Sequence, residues 1–528
     1  MKAIRLAVLL LACLGLDDSV AQNPVIKGFY PDPSVCRVGE DFYLVTSSFQ
    51  FFPGVPLFHS KDLVNWEQIG NVLDRQEQLP LKDATCWGGI YAPTIRYNDG
   101  VFYMITTNCS SKGNFLVTTT DPRKGWSDPV WLKQGGIDPS LYFEDGKVWM
   151  VSNPNDGIYL CQIDPKTGEQ LTESVLLWQG DGGRYPEAPH LYKKGEYYYL
   201  MIAEGGTELA HSETIARSKS IFGPYESNPD NPILTNCCRA AQGNSVQGIG
   251  HADLVEAADG SWWMVFLGHR PMSGANHNLG RETFLLPVTW KDGWPVVGKN
   301  GTVSEEMDFQ TLPQKSVVKK SGRVMFSDYA DGSFFQRRRE LPELVYMRNP
   351  KESFYNIKSG KLVLTASADR LSDVSGSPVF VGRRQQDMAF SFDASMTLRD
   401  AVRGDEAGLT VFMTEDSHYD IFVTRDEKGR SVLRVRYNLV GLSHETKDYV
   451  MSSDRCVLRV SGDKEYYYFS FSQDDGRTFT DCGKMGTRYL SSECAGGFTG
   501  VMLGLYAQSA NGKTKAKAEF SYLDYEGK

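Results

Sequence analysis

Four ionisable side chains stand at comparable points of a recurring sequence pattern. They are Asp32 in "GFYPDPS", Asp138 in "GIDPSL", Glu187 in "RYPEAPHLYKK" and His251 in "GHADLV". Carboxylates that converge raise one another's pKa, so such a group can hold one acid protonated beside another that is ionised. Hydrolysis of a glycosidic bond requires this division, with a general acid for the leaving oxygen and a base or nucleophile opposite it. The three carboxylates are therefore candidate catalytic residues.

For Asp32 taken alone, a structural role is the simpler interpretation, because Asp before Pro is common in turns. Two further acids at matching positions favour chemistry instead. The sequence offers no convincing motif of another enzyme class. We find no convincing nucleophile elbow with a Ser-His-Asp order, no P-loop and no dinucleotide-binding glycine motif.

The elements that must position these residues are repeated β-hairpins. Five copies of one pattern begin at Asp32, Ala92, Asp138, Ala188 and His251. Each copy has a short strand, a Gly-containing turn such as "NDG" or "EDG", and a second strand rich in aromatic and branched residues. The copies start about 45 to 65 residues apart, which suits one propeller blade each. The sequence predicts a five-bladed β-propeller whose strand starts surround one mouth of a central channel.

A second domain follows, because the five-fold pattern stops after "RETFLLPVTWKDGWPVV". Short alternating segments such as "KLVLTASA" and "EYYYFSFSQD" then recur between turns, as in a β-sandwich. We predict an all-β protein with a propeller over residues 22–320 and a sandwich over residues 321–528.

The N-terminus and the charge limit where the protein acts and on what. Residues 1–21 carry Lys2 and Arg5 before an apolar run, which predicts a signal peptide and an exported protein, periplasmic or secreted. An alternative interpretation takes "LLAC" as a lipoprotein signal that anchors the protein by lipid at Cys13. No later segment is apolar and long enough for an integral membrane span. With a net charge of −9 and no basic run, we expect no nucleic-acid partner. The sequence leaves the oligomeric state open.

The sequence shows no dedicated metal site. The ten cysteines lack paired metal-ligand spacing, and there is no EF-hand loop. We expect no required cofactor and assign no metal ligands, and we leave open a structural Ca²⁺ in the channel or on the sandwich.

The motifs "GFYPDPS", "GIDPSL", "RYPEAPHLYKK", "GHADLV" and "NLGRETFL", in this order, resemble the two-domain enzymes of glycoside hydrolase family 43, which include β-xylosidases and α-L-arabinofuranosidases. The resemblance implies that Asp32 is the general base that activates water and Glu187 the general acid. It implies that Asp138 tunes and orients Glu187. It also implies inversion of configuration, which requires about 6.5 to 9.5 Å between base and acid.

The same resemblance implies a set of substrate-binding residues. They are Phe49, Trp87, Tyr91, His251, Arg281 and Phe498. Arg281 would lie against the sugar and the acids. His251 would lie near the propeller axis, with a hydrogen-bonded scaffold histidine as the alternative. Phe498, in "GGFTGVMLGLYAQ", would close one side of the pocket from the sandwich, with a place in the sandwich core as the alternative.

Two departures from the family pattern affect the pocket. Phe49 is followed by Gln50-Phe51 where Glu-Trp is familiar, and "GIYAP" supplies Tyr91 in place of a tryptophan, with Trp87 just upstream. They concern the leaving-group side and the choice of pentose rather than the three acids.

The resemblance implies an inverting exo-acting hydrolase. It would release non-reducing terminal α-L-arabinofuranosyl or β-D-xylosyl residues, or both, from hemicellulose such as xylan, arabinoxylan or xyloglucan, or from its oligosaccharides. An endo-acting, arabinanase-like hydrolase and a non-catalytic glycan-binding propeller are the alternatives.

Overall fold

The computed structural model describes residues 21–154, 156–237, 245–272, 274–315, 322–512 and 514–528. Cys13 and all but the last residue of the predicted signal peptide lie outside these residues, so the export and lipid-anchor predictions stay predictions. In the described part of the chain, one four-residue α-helix, Ser492–Ala495, accompanies the strands. The 3-10 turns are Gln76–Gln78, Phe326–Asp328, Phe335–Arg337, Glu352–Phe354 and Thr487–Leu490.

Five antiparallel sheets of consecutive strands form the blades of a β-propeller, which confirms the predicted fold. Blade 1 contains Ser34–Val38, Asp41–Val45, Gly54–Ser60 and Glu67–Leu73, and blade 2 contains Thr94–Asn98, Val101–Asn108, Gly113–Thr119 and Val130–Trp131. Blade 3 contains Ile137–Glu144, Lys147–Asn153, Ile158–Ile163 and Val175–Trp178. Blade 4 contains Glu187–Lys194, Tyr197–Glu204, Ser212–Ser218 and Glu226–Ser227, with Leu234–Thr235 beside its third strand. Blade 5 contains Gln247–Glu256, Trp262–His269, Glu282–Lys291 and Trp294–Val297.

The first strand of each blade is the innermost one, and these five strands contact one another around the channel. Asp253, in blade 5, ties the ring together. Its carboxylate accepts hydrogen bonds from Ser34 Oγ of blade 1 at 2.6 Å, Arg96 Nη1 of blade 2 at 2.7 Å and Tyr192 Oη of blade 4 at 2.7 Å. Burial alone would raise the pKa of Asp253, but the charges of Arg96 and His190 and the hydrogen bonds from Arg96 and Ser34 together outweigh it and lower the pKa. The buried charge is therefore paired, and it fixes the blades that carry the strand starts.

Two antiparallel sheets form the C-terminal β-sandwich. The first sheet contains, in spatial order, Gly332–Ser333, Tyr355–Lys358, Lys361–Thr365, Lys517–Gly527, Phe390–Arg399, Arg455–Gly462, Tyr466–Ser472 and Thr480–Gly486, with Arg323–Met325 beside Lys517–Gly527. The second contains Val379–Arg384, Met502–Ser509, Asp405–Thr414, Ser417–Arg425, Ser431–Leu439 and Leu442–Glu445, with Tyr449–Val450 beside Ser431–Leu439. The predicted boundary at residue 320 falls in residues 316–321, outside the described residues, and stays a prediction.

The sandwich packs directly on the propeller. The short strand Tyr346–Met347 of the C-terminal domain pairs antiparallel with Phe51–Phe52 of the propeller. The ring of Phe52 stacks on Phe335 with centroids 5.5 Å apart. Arg384 Nε, from the second sheet, donates a 2.6 Å hydrogen bond to the carbonyl of Phe29. Because Phe49 lies two residues from this junction, the sandwich is held against the candidate pocket. Among the described residues, no helix is long and apolar enough to cross a membrane.

Candidate active site

The strand starts that carry the candidate acids have strained backbones. Asp32, Asp138, Ala188 and His251 adopt φ values of 55°, 51°, 54° and 52°. In blades 3, 4 and 5 the pairing register also shifts at this point. A bulge redirects the side chains that follow it, and left-handed φ at a non-glycine residue costs about 1 to 3 kcal/mol. The same local distortion, repeated in four blades, turns the residues at the strand starts away from ordinary sheet alternation.

Asp32 is a buried carboxylate held in its ionised form. Arg281 Nη1 donates to Oδ1 at 2.7 Å, Ser47 Oγ donates to Oδ2, and His251 Nδ1 lies 3.5 Å from Oδ1. Burial raises the pKa of Asp32, but the charges of Arg281 and His251 and the Ser47 hydrogen bond outweigh it, so the pKa lies below its ordinary value. An ionised carboxylate can accept a proton, as a general base must.

Glu187 has the opposite electrostatic character. Burial and then the negative charge of Asp32 raise the pKa of Glu187 to about 7, against the opposing effect of Arg281. Near neutral pH a large share of this carboxyl group therefore keeps its proton. A protonated carboxyl beside an ionised one can act as a general acid and a general base in a single site.

Asp138 links the third blade to Glu187. Burial, followed by the charges of Glu187 and Asp32, raises its pKa well above the ordinary value. Its Oδ2 accepts a 3.2 Å hydrogen bond from the backbone N–H of Ala188. Asp138 therefore fixes the peptide next to Glu187 and also influences the charge of Glu187.

Arg281 contacts both domains. Besides Asp32, its guanidinium donates to Thr207 Oγ1 at 3.1 Å and to the carbonyl of Phe498 at 3.2 Å. It also lies 5.4 Å from the ring centroid of Phe498 and 5.9 Å from that of Phe49. A planar cation can make these contacts together because its donors are fixed in one fork.

Three aromatic side chains form a wall beside Arg281. The centroid of Phe49 is 5.6 Å from that of Tyr91 and 5.6 Å from that of Phe498, and Tyr91 and Phe498 are 6.1 Å apart. Phe498 thus reaches the propeller residues rather than only the sandwich core. Trp87 is 39% exposed and lies against Gly497, where any Cβ would collide with its ring, so it stands at the edge of this wall.

A cavity of about 510 Å³ lies between the domains next to this wall. Its lining includes Thr207, Arg281 and His269 of the propeller, and Glu493 and Phe498 of the sandwich. The volume suits a ligand of a few sugar units at most.

Two residues at the site are absent from the sequence predictions. His211 is buried, and its Nε2 lies 4.0 Å from Glu187 Oε1. Thr207 binds Arg281. Both belong to "GGTELAH", which lies between the second and third strands of blade 4 and outside the repeated strand starts. The rarity of histidine, eight in the chain, is the one signal that could have drawn attention to His211.

A metal site is best tested on His269, His277 and Glu493, whose potential ligand atoms lie within 4.8 Å of one another. The two imidazoles stack with centroids 4.0 Å and planes 18° apart, so their in-plane lone pairs run nearly parallel and do not converge on one ion. His277 Nδ1 is also 2.7 Å from Glu493 Oε1. The geometry fits a contact between the two domains better than a metal centre. The absence of a required cofactor and the Ca²⁺ option stay untested predictions.

Models of known protein families match both domains of the chain. The model for "Glycosyl hydrolases family 43" matches residues 21–295, and that for "Beta xylosidase C-terminal Concanavalin A-like domain" matches residues 335–526. The chain belongs to glycoside hydrolase family 43. The predicted family is confirmed, and this family 43 protein is a glycosidase, an enzyme that hydrolyses O-glycosyl bonds.

Several family 43 proteins match along nearly their full length. The chain is 42% identical to the non-reducing end α-L-arabinofuranosidase BoGH43B of Bacteroides ovatus, covering 99% of each chain. It is 38% identical to a xylosidase/arabinosidase of Butyrivibrio fibrisolvens, covering 96% of this chain and 99% of the other. The solved structure of a xylan β-1,4-xylosidase from Bacillus halodurans superposes with a TM-score of 0.89 at 31% identity, covering 96% of this chain and 99% of that chain.

Proposed function

We propose that this family 43 enzyme is an inverting exo-hydrolase that releases non-reducing terminal α-L-arabinofuranosyl or β-D-xylosyl residues, or both, from hemicellulose or its oligosaccharides. The observation that carries the proposal is the opposite protonation of Asp32 and Glu187. The pKa of the first is lowered and that of the second is raised to about 7, although both carboxyl groups are buried.

The residues divide the reaction as follows. Asp32, kept ionised by Arg281, takes a proton from the water that attacks the anomeric carbon. Glu187 gives its proton to the leaving oxygen as the glycosidic bond breaks. Attack by water from the side opposite the leaving group inverts the anomeric centre. Both proton transfers are complete with these two side chains, and we propose that no metal ion is required for them.

Exo action is supported by the shape of the cavity. Its lining includes Arg281, which binds Asp32, and the sandwich residues Phe498 and Glu493, so the sandwich covers one side of the space beside the acids. A covered cavity of this size accepts the end of a chain more readily than its middle. Both pentoses are proposed because the relatives' names include an arabinofuranosidase and a xylosidase/arabinosidase.

Two nitrophenyl glycosides test the activity, one of α-L-arabinofuranose and one of β-D-xylose. We expect release of nitrophenol from at least one, and free pentose as the first product from arabinoxylan oligosaccharides. Lack of turnover on both glycosides would contradict the pentosidase proposal. Early release of oligosaccharides from arabinan would favour the endo-acting alternative. Proton NMR of the first-formed sugar reports inversion directly.

The variant Asp32→Asn separates an enzyme from a glycan-binding propeller. We expect kcat to fall by about 10²- to 10⁴-fold, because the amide cannot accept the proton of water, while pentose binding measured by calorimetry persists. The matched control is Asp145→Asn, at an exposed turn of blade 3. Equal turnover in both variants would argue against the role of Asp32 as the base.

We also propose export of the protein through residues 1–21, with lipid attachment at Cys13 as the alternative. The basic and apolar pattern of that segment supports export. Mass spectrometry of the mature N-terminus distinguishes a free residue near position 22 from a lipidated Cys13.

A further inference from the structure

His211 is a buried imidazole beside the general acid. Its side chain has no exposed surface, and its Nε2 lies 4.0 Å from Oε1 of Glu187. That nitrogen has no hydrogen-bond partner in the described part of the chain. A buried, unpaired polar atom is costly, and one that faces a catalytic carboxyl group requires an explanation.

The neighbouring contacts fix which nitrogen carries the proton. His211 Nδ1 lies 3.2 Å from the carbonyl oxygen of Gly248, which can only accept. Nδ1 is therefore the protonated nitrogen, and the lone pair of a neutral ring is on Nε2. Burial lowers the pKa of His211 to about 3, so the ring is neutral in the range in which Glu187 titrates.

The ring is also held in place. A Cβ on Gly250 would lie within 2.8 to 2.9 Å of three atoms of the imidazole, so the ring packs flat against that glycine. The position of Nε2 is thus set by two backbone contacts, whereas the Glu187 carboxyl group has no hydrogen-bond partner among the described residues.

We propose that His211 is a positioning residue for Glu187: between turnovers the Nε2 lone pair of His211 accepts a hydrogen bond from the carboxyl O–H of Glu187, which favours the protonated, reaction-ready form. The inference rests on the proposed function. A lone pair repels the carboxylate and attracts the carboxyl O–H, so the two states of Glu187 are affected in opposite directions. Rotation of the Glu187 carboxyl group brings it from 4.0 Å to hydrogen-bond distance, since such contacts are often long in free enzymes.

The proton balance of the reaction stays simple. When the leaving oxygen arrives, the Glu187 proton moves to it from the carboxyl group, and the proton of the attacking water moves to Asp32. His211 keeps its Nδ1 proton throughout and transfers none. Glu187 and Asp32 then exchange protons with water to restore the resting state.

Other charged groups also act on Glu187 and must stay unchanged in any test. Those that act on Glu187 are Asp32, Asp138 and Arg281, and His251 and His269 act on the His211 ring. All five residues are kept in the variants at position 211, and among the described residues the Gly248 carbonyl is the hydrogen-bond partner of the ring on its other side.

Two variants separate the roles of the two ring nitrogens. His211→Asn keeps an N–H for Gly248 and removes the acceptor opposite Glu187. His211→Gln places an amide oxygen near the former Nε2. We expect His211→Asn to lower kcat/KM by about tenfold more for an alkyl pentoside or an oligosaccharide than for a dinitrophenyl pentoside, whose leaving group needs little protonation. His211→Gln should recover most of this loss.

The pH profile gives a second measure. The alkaline limb of kcat/KM reports Glu187, and removal of an acceptor that favours its protonated form should move that limb down by about half a unit to one unit. Equal losses on both leaving groups with an unmoved limb would overturn the proposal. So would a milder effect of His211→Asn than of His211→Gln, since that order follows from the Gly248 contact alone.

Nitrogen NMR of the histidine side chains tests the proposal even where a variant at position 211 does not fold. The wild-type protein should show His211 as the neutral Nδ1–H form at pH 6, and Glu187→Gln should shift its Nε2 resonance. An Nε2–H or doubly protonated ring would overturn the proposal. This measurement needs no turnover, so it stands apart from a failure of the pentosidase assays.

Discussion

At the scale of single residues, the site depends on the Arg281 cation, which acts unequally on the two carboxyl groups of Asp32 and Glu187. Arg281 Nη1 bonds Asp32 at 2.7 Å, whereas no hydrogen bond from Arg281 to Glu187 is formed in the described structure. Burial acts on both carboxyl groups in the same direction. The direct ion pair at Asp32 therefore separates their pKa values, and the resulting charge on Asp32 helps to raise the pKa of Glu187.

This raised pKa has a cost in stability that depends on pH. Below its ordinary value of 4.5, Glu187 is protonated in the folded and the unfolded chain, so nothing is lost. Between pH 4.5 and about 7 the unfolded chain releases this proton while the folded protein keeps it, so the free energy of unfolding falls. Glu187→Gln should therefore stabilise the protein by up to about 3 kcal/mol at pH 8 and by little at pH 5.

Urea unfolding at the two pH values measures this difference. The matched control is Glu208→Gln, at an exposed glutamate on the lining of the same cavity, where we expect less than about 0.5 kcal/mol at either pH. If Glu187→Gln had the same stability as wild type at pH 8, that result would contradict the raised pKa of the buried Glu187 carboxyl group.

The sequence supplied the three acids because they share a repeat position, and the structure brings Asp32, Glu187 and Asp138 within range of one another's charges. It supplied Arg281 through a motif and Phe498 through a resemblance. His211 and Thr207 were missed because nothing periodic marks them. Each reaches the site from the connection after the second strand of blade 4, and loop paths do not follow from residue pattern. The assigned roles remain predictions for the assays above.

At the scale of elements, the hairpin turns and the strand starts differ in how well sequence describes them. Asp99-Gly100 and Asp145-Gly146 both have the positive φ values that Asp-Gly predicts for a tight hairpin. The strained strand starts carry no such mark, since Asp and Ala before Pro give no reason to expect left-handed φ. This strain is maintained by tertiary structure and could be found only there.

A pair of glycine substitutions tests the strain. Ala188 and Ala92 both precede Pro at equivalent strand starts and are both buried, but only Ala188 has a positive φ, 54°. Ala188→Gly removes the Cβ that makes the left-handed backbone conformation unfavourable. We therefore expect the free energy of unfolding to stay unchanged or to rise by up to about 1 kcal/mol. Ala92→Gly has no strain to relieve and should destabilise by about 1 kcal/mol.

Denaturant midpoints give the two free energies, and the difference between the variants is the quantity of interest. We also expect Ala188→Gly to lower kcat, because the more flexible glycine backbone holds its N–H against Asp138, and the neighbouring Glu187, less precisely. If both glycine variants lost stability equally, the positive φ at Ala188 would carry no strain.

At the scale of the whole molecule, the two domains together line one cavity and share one apolar core. Residues of the first two blades and of the sandwich, among them Phe52, Leu81, Phe335 and Leu503, belong to a single cluster of buried side chains. A sandwich held this firmly can place a loop with the accuracy that a pocket needs. His277 of the propeller adds to this through its bond to Glu493, five residues before Phe498.

We expect this arrangement to affect catalysis most directly at Phe498. Its carbonyl accepts a hydrogen bond from Arg281, and its ring completes the wall formed with Phe49 and Tyr91. In Phe498→Ala the backbone bond to Arg281 remains while the wall opens. We therefore expect KM for a nitrophenyl pentoside to rise by about tenfold or more, with a smaller loss in kcat, because the acids keep their partners.

The matched control is Phe479→Ala, a sandwich phenylalanine whose ring lies 3.9 Å from the Arg459 guanidinium and does not line the cavity. It should leave KM unchanged. An unchanged KM in Phe498→Ala as well would mean that the sugar does not reach this wall, and the covered pocket would then no longer account for exo action. A fall in kcat alone would instead indicate that Phe498 helps Arg281 to hold Asp32. The hydrogen bond from Arg281 to the Phe498 carbonyl is the second contact that connects the sandwich to the acids.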